Sequence, residues 1–151
     1  MERTARERAS CLTTWAPLVI RLALAAIFIA HGAQKVFGAF DGHGIRGLAG
    51  FVGELGFRPP IVWAWLAALA EFLGGIGVLL GLLTRIAAAG ILANMLVAIL
   101  KVHAPNGFFL PDGIEFALAN AAMALSLILS GAGKVSLDWV LREWWLGRRR
   151  R

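Results

Sequence analysis

Apolar residues fall into four long runs along the chain, at about 17–38, 61–83, 86–102 and 114–129. Each approaches the roughly 20 residues that a helix needs to cross the hydrocarbon core of a bilayer. The ends of the runs carry helix punctuation. Pro17 stands at a helix-starting position and Gly38 is a natural stop for the first run. The Pro59-Pro60 pair opens the second, where Trp63 and Trp65 suit a membrane surface. Thr84-Arg85 makes a tight turn into the third, Pro105 and Pro111 mark the loop that follows, and Gly131 and Gly133 end the fourth. The pattern predicts an all-α protein, an integral membrane four-helix bundle.

Two shorter segments are amphipathic. Leu48, Phe51, Val52 and Leu55 share one helical face in the first outer loop, which predicts a short interfacial helix there. Beyond Gly133, Ser136 stands as a cap for a tail helix that carries Trp139, Trp144 and Trp145 and leads into four arginines, an amphipathic helix suited to lying along the membrane. The expected organisation is a basic N-terminus over 1–16, a membrane domain over 17–131 and a tail over 132–151.

Composition agrees with lipid as the main solvent: 59% of the 151 residues are apolar and 16% charged, where a soluble domain carries about a quarter charged residues. The basic residues Arg3, Arg6 and Arg8 ahead of an apolar run imitate a secretory signal. Because that run continues unbroken to Gly38, it reads as a signal-anchor that stays in place. Of the 15 Lys and Arg residues, 11 fall on the two ends, where Arg21 is counted with Arg3, Arg6 and Arg8, and on the Arg85 turn, and 4 on the opposite side, namely Lys35, Arg46, Arg58 and Lys101. The bias predicts a multi-pass protein of the bacterial inner (plasma) membrane with both termini cytoplasmic. A net charge of +6 concentrated at the ends suits anionic lipid head groups. No nucleic-acid module accompanies it, so nucleic acid is not an expected partner. Cys11 is the only cysteine, which excludes an intramolecular disulfide or a paired-cysteine redox centre within one chain.

Polar side chains at membrane depth are costly unless paired or hydrated, so the informative residues are those that interrupt the apolar runs. They are His31, Gln34 and Lys35 in the first, Glu71 in the second, Asn94, Lys101 and His103 in the third, and Glu115 and Asn120 in the fourth. Glu71 lies near the middle of its span and needs a partner or a proton. His31, Gln34 and Lys35 share one helical face. Lys35 or His31 is the expected partner of Glu71, and His103 or Lys101 that of Glu115, so that a polar pocket forms in the outer half of the bundle. Such pairs equally serve to hold helices in register. His31, His103, Glu71 and Glu115 are acceptable metal ligands by type but lack the spacing of a metal motif, so no metal is expected. Asn94 and Asn120 suit interhelical hydrogen bonds, Arg85 suits the carbonyls of Leu82 or Leu83, and Gly74, Gly77 and Gly81 form a close-packing stripe usable within the monomer or between copies.

Several ordered segments carry a resemblance: His31 to Gly38 (His-Gly-Ala-Gln-Lys-Val-Phe-Gly), Glu71 to Gly75 (Glu-Phe-Leu-Gly-Gly), Gly81 to Arg85 (Gly-Leu-Leu-Thr-Arg), His103 with Asn106 to Phe109, and Gly131 to Asp138 (Gly-Ala-Gly-Lys-Val-Ser-Leu-Asp). Over about residues 17–140 the chain resembles the DoxX family of small bacterial membrane proteins. The resemblance implies a four-helix protein related to membrane subunits of thiosulfate:quinone oxidoreductase and to partners of soluble redox or sulfur-transfer proteins. It implies functional positions at His31, Lys35, Glu71, Arg85, His103 and Glu115. With a quinone as the implied ligand, Glu71, His31 and Glu115 are the expected catalytic groups and His31, Gln34, Lys35, His103 and Lys101 the binding groups. With no flavin or haem-attachment motif, the chain reads as a component of an oxidoreductase system and not a complete one. The alternatives are a scaffold for a soluble partner or a small proton-coupled transporter.

Overall fold

The computed structural model describes residues 2–149, with side chains over 15–148. Expectations for Arg3, Arg6, Arg8, Cys11 and the last three arginines therefore concern side chains outside the described residues. Six α-helices follow in order: α1 Glu2–Phe37, α2 Gly44–Glu54, α3 Pro60–Leu80, α4 Thr84–Ala98, α5 Glu115–Ser130 and α6 Leu137–Arg149. A π turn, Ile99–His103, and a 3-10 turn, Ala104–Asn106, prolong α4. Among the described residues there is no strand.

The helix ends differ from the sequence reading in three places. Helix α1 does not begin at Pro17 but contains it. Proline removes one intrahelical bond without breaking a membrane helix, because neighbouring groups re-satisfy the freed carbonyl. Helix α3 stops at Leu80, short of residue 83, since Gly81 adopts a left-handed conformation at φ +64°. Leu82 N–H then donates to Gly77 O (2.9 Å) and Gly81 N–H to Val78 O (3.2 Å), closing the helix as a Schellman turn. Helix α4 starts at Thr84, two residues early, because Asp138 accepts hydrogen bonds from the backbone N–H of Leu83 (2.7 Å) and Thr84 (2.9 Å).

Four apolar helices share one core. Leu24 and Phe28 of α1 meet Val78 of α3, Ala88, Ile91 and Met95 of α4, and Ala117, Ala121, Ala124 and Leu127 of α5. Small residues bring the backbones close. A side chain at Gly32 would lie 2.6 Å from the backbone of Phe72, so only glycine permits this approach of α1 to α3. Gly74 and Gly77 face Ile91 and Ala87 of α4, so the glycine stripe is used within the chain.

The outer surface of this core is apolar. Three segments, Trp15–Phe37, Pro60–Leu80 and Thr84–Asn106, are long and apolar enough to cross a membrane, yet only 33%, 33% and 17% of their most apolar windows is buried within the protein. Leu22, Leu66, Leu73, Ile86 and Leu129 are among the large apolar side chains left outside. A soluble protein does not present so much contiguous apolar surface; lipid covers it. Helix α5 is also apolar but has 16 residues, about 24 Å of rise.

At the end of the bundle where α3 turns into α4, Arg21 is 2% exposed and donates four hydrogen bonds to carbonyls: Val78 (2.7 Å), Leu79 (2.6 Å), Ala132 (3.0 Å) and Val135 (2.6 Å). The first two belong to the last turn of α3, where carbonyls lack helical partners. One guanidinium thus ties α1, the end of α3 and the segment before α6 together. Ser136 caps α6 as expected, accepting from Trp139 N–H at 3.2 Å. Arg85 donates to Leu129 O of α5 (3.4 Å), not to Leu82 or Leu83.

Candidate ligand cavity

Opposite the Arg21 end, the bundle opens into a cavity of about 570 Å³ between the C-terminal half of α1, the N-terminal half of α3, the C-terminal half of α4 and the start of α5. Its roof is α2. Leu48, Phe51, Val52 and Leu55, the apolar face expected to rest on lipid, line the cavity. Most of the wall is apolar, with Phe28, Trp63, Leu66, Met95 and Phe116 among its residues. The polar residues in it are His31, Lys35, Glu71, Asn94 and His103.

Glu71 is 2% exposed, and one of its oxygens receives both donors. Lys35 forms an ion pair with Oε1, and Asn94 Nδ2 donates to the same oxygen at 2.6 Å. Oε2 is buried without a hydrogen-bond partner. Among the described residues this is the one ion pair. It fits a charge that three helices must hold together, because a carboxylate in lipid is affordable only when paired and hydrogen-bonded.

His31 is exposed and sets its ring against Phe116 at 6.4 Å between centroids, closing the side between α1 and α5. His103 Nδ1 lies 2.8 Å from Asp112 O. A carbonyl only accepts, so Nδ1 carries a proton in that bond, and in the neutral ring Nε2 is the acceptor.

The other expected residues are placed elsewhere. Glu115 does not pair with His103 or Lys101: its Oε1 accepts from the backbone N–H of Leu110 at 2.7 Å, closing the loop before α5, and it is not among the cavity's lining residues. Carboxylates favour backbone donors in such loops because the bond satisfies an otherwise orphan N–H. Lys101 is exposed and outside the lining. Gln34 faces a second, smaller pocket and donates to Phe40 O at 3.4 Å. Asn120 bonds within its own helix, to Phe116 O at 2.9 Å, and not between helices. Among the described residues no three His, Cys, Asp or Glu side chains converge as metal ligands would. Arg21 is the residue sequence reasoning misplaced. It was counted with the terminal charges although it lies inside the first apolar run, and that position is the signal that could have found it.

Comparison with known proteins bears on what such a bundle is. A family profile described as DoxX matches residues 16–104. An uncharacterized membrane protein of Mycobacterium tuberculosis is 36% identical over 133 residues, 80% of this chain and 78% of its own. A Bacillus subtilis protein named "Putative oxidoreductase CatD" is 29% identical over 121 residues, 80% of this chain and 83% of its own. An uncharacterized protein of Haemophilus influenzae is 34% identical over 123 residues, covering 79% and 85%. No solved structure matches the chain. A profile that spans more than half of the chain, relatives aligned over four-fifths of it, and long apolar helices coated with apolar side chains lead to one conclusion: this chain is a membrane protein of the DoxX family.

Proposed function

We propose that the protein is the membrane component of an oxidoreductase system and that its cavity takes the polar head of a quinone or a similar small, lipid-soluble molecule. One observation carries the reading. Glu71 stands at the wall of a mostly apolar cavity with two donors on Oε1 and none on Oε2. Among the described residues three buried side-chain atoms lack a partner, Thr84 Oγ1, Asn120 Oδ1 and Glu71 Oε2, and Glu71 is the one of these residues that lines the cavity, where a ligand could offset the cost of about 1–3 kcal/mol. The volume, about 570 Å³, lies within the roughly 300–1,000 Å³ of small-molecule sites, and the mixture of apolar wall with a few convergent polar groups is the one such sites use.

Bound there, a quinone would supply two-electron, two-proton redox chemistry. The chain's own residues would do the rest. Lys35 and His31 would hydrogen-bond the oxygens of the head group. His103 Nε2 would accept from a hydroxyl, and Glu71 would exchange protons at Oε2. Leu66, Trp63 and Phe116 would hold the ring and exclude water. Glu115, Gln34 and Lys101 take no part in this reading, as none of them lines the cavity. Electrons would come from a soluble redox or sulfur-transfer partner. That one relative's name carries an oxidoreductase assignment is consistent with this.

The topology belongs to the same proposal. Over residues 17–131, α1, α3, α4 and α5 would each span the bacterial inner membrane, leaving both termini in the cytoplasm and the cavity toward the outer face. Arg21 no longer counts as a free terminal charge, but 10 of the other 14 basic residues would still lie on the cytoplasmic side in this topology, so the bias that supports it is kept.

Organic extraction of the protein purified from its native membrane in mild detergent tests the function. A quinone recovered near one per chain, and lost in Glu71→Gln, is the expected result. An empty cavity, with Glu71→Gln and His31→Ala fully active in docking a soluble partner, would point to a scaffold instead.

A further inference from the structure

A second pocket, of about 390 Å³, lies under the loop between α1 and α2, and its polar residues are Gln34, Lys35, Asp41 and His43. Three residues line both this pocket and the large cavity: Lys35, Leu48 and Phe51. Lys35 is the one polar residue in common, and it is the residue that holds Glu71. The two spaces differ in kind. The large cavity is walled mainly by aromatic and aliphatic side chains, among them Val97, which is 41% exposed. The small pocket is walled by the loop, where Asp41 and His43 are exposed. The loop folds tightly onto the last turns of α1, since a Cβ at Gly42 would lie 2.5 Å from Gln34 O.

A carboxyl group that exchanges protons needs a route to water, and the loop pocket, where Asp41 and His43 are exposed, offers one that shares Lys35 with the site. We propose that Glu71 exchanges protons with the outer aqueous phase through the loop pocket. Lys35 is the positioning residue that joins the pocket to the cavity, and His43 is the titratable group at its mouth. The inference rests on the reading of Glu71 as the proton-exchanging group of the site.

The step itself is simple. A proton arrives on water or on the His43 imidazolium; that O–H or N–H bond breaks, an O–H bond forms at Glu71, and no electron moves. Lys35 of α1 pairs with Glu71, and the other charged or titratable groups that line the cavity with it are His31 of α1 and His103 beyond α4. Arg46 and Glu54 of α2 line neither pocket.

The experiment uses the full-length protein in lipid, with Cys11→Ser removing the native thiol. Cysteines are placed singly by His43→Cys and by Val97→Cys, and each protein is measured before and after attachment of a bulky thiol reagent. The readout is the rate at which the Glu71 carboxyl infrared band, identified by its loss in Glu71→Gln, follows a pH jump. No redox ligand is needed. Labelling at position 43 should slow the response at least tenfold, and labelling at position 97 should leave it within twofold. A response unaffected by the label at 43, or slowed by the label at 97, overturns the route while leaving Glu71 a proton-exchanging group. If no carboxyl band depends on Glu71, the reading of the site falls, and this inference with it.

Discussion

Glu71 shows how much one buried charge can dictate. Its carboxylate draws Lys35 from α1 and Asn94 from α4 onto a single oxygen, so three helices meet at one atom. Lys35→Met should destabilise the protein by about 3 kcal/mol, because removing one partner of a buried pair leaves an uncompensated charge. Lys35→Met combined with Glu71→Gln should recover most of that loss, a coupling that thermal unfolding in detergent measures through a double-mutant cycle. If the double variant is no more stable than Lys35→Met alone, the pair is not what the charge requires. At this scale the sequence was legible where a polar residue stood conspicuously in lipid: Glu71 at mid-span predicted its own partner, and Lys35 was one of the two candidates. It was less legible where a side chain had a backbone alternative. Glu115 and Asn120 each found an N–H or a carbonyl within five residues, and Arg85 reached the carbonyl of Leu129 on another helix; hydrophobic periodicity carries no information about such backbone partners. Arg21 was hidden for a different reason. A charge close to a span's end looks like an anchor, and only the fold brings four carbonyls around it.

Helices are where pattern and structure agree most closely, since the 3.6-residue period and the cost of exposed backbone in lipid leave few options. The differences sit at their ends, where tertiary partners decide. Helix α4 is the clearest example. Its first N–H groups are capped by Asp138, 54 residues away from Thr84, and the same residue's N–H donates to Gly81 O at 2.8 Å. Asp138→Ala should therefore cost about 1 kcal/mol. It should also speed hydrogen exchange at the amides of Leu83 and Thr84, whereas Asp138→Asn should retain part of the protection. Unchanged exchange at those two amides in Asp138→Ala would show that the cap contributes nothing. Helix α2 illustrates the other limit. Its apolar face was plain from Leu48, Phe51, Val52 and Leu55, but an apolar face does not say whether lipid or a neighbouring helix will cover it; here it roofs the cavity.

The whole molecule divides into two ends with different tasks. Around Arg21 and Asp138 the backbone groups of three segments are tied together by side-chain hydrogen bonds. Around Glu71 the helices part and leave a cavity under α2. The sequence pointed to the second end, since His31, Lys35, Glu71 and His103 lie toward the same half of their helices and the structure brings all four to one cavity. What it left open was the volume between them, because a void depends on crossing angles and on small residues such as Gly32 and Gly90 whose packing is settled only in three dimensions. The account's central claim is that this void is a binding site whose polar wall is Glu71. Equilibrium binding of a short-chain, water-soluble quinone to the protein in lipid nanodiscs tests it most directly. Binding should saturate near one site per chain and weaken at least tenfold in both Glu71→Gln and Leu66→Trp, while the tail variant Arg142→Gln binds as the native protein does. Non-saturating uptake of equal size in all four proteins would mean that the quinone merely dissolves in lipid, and would contradict the claim.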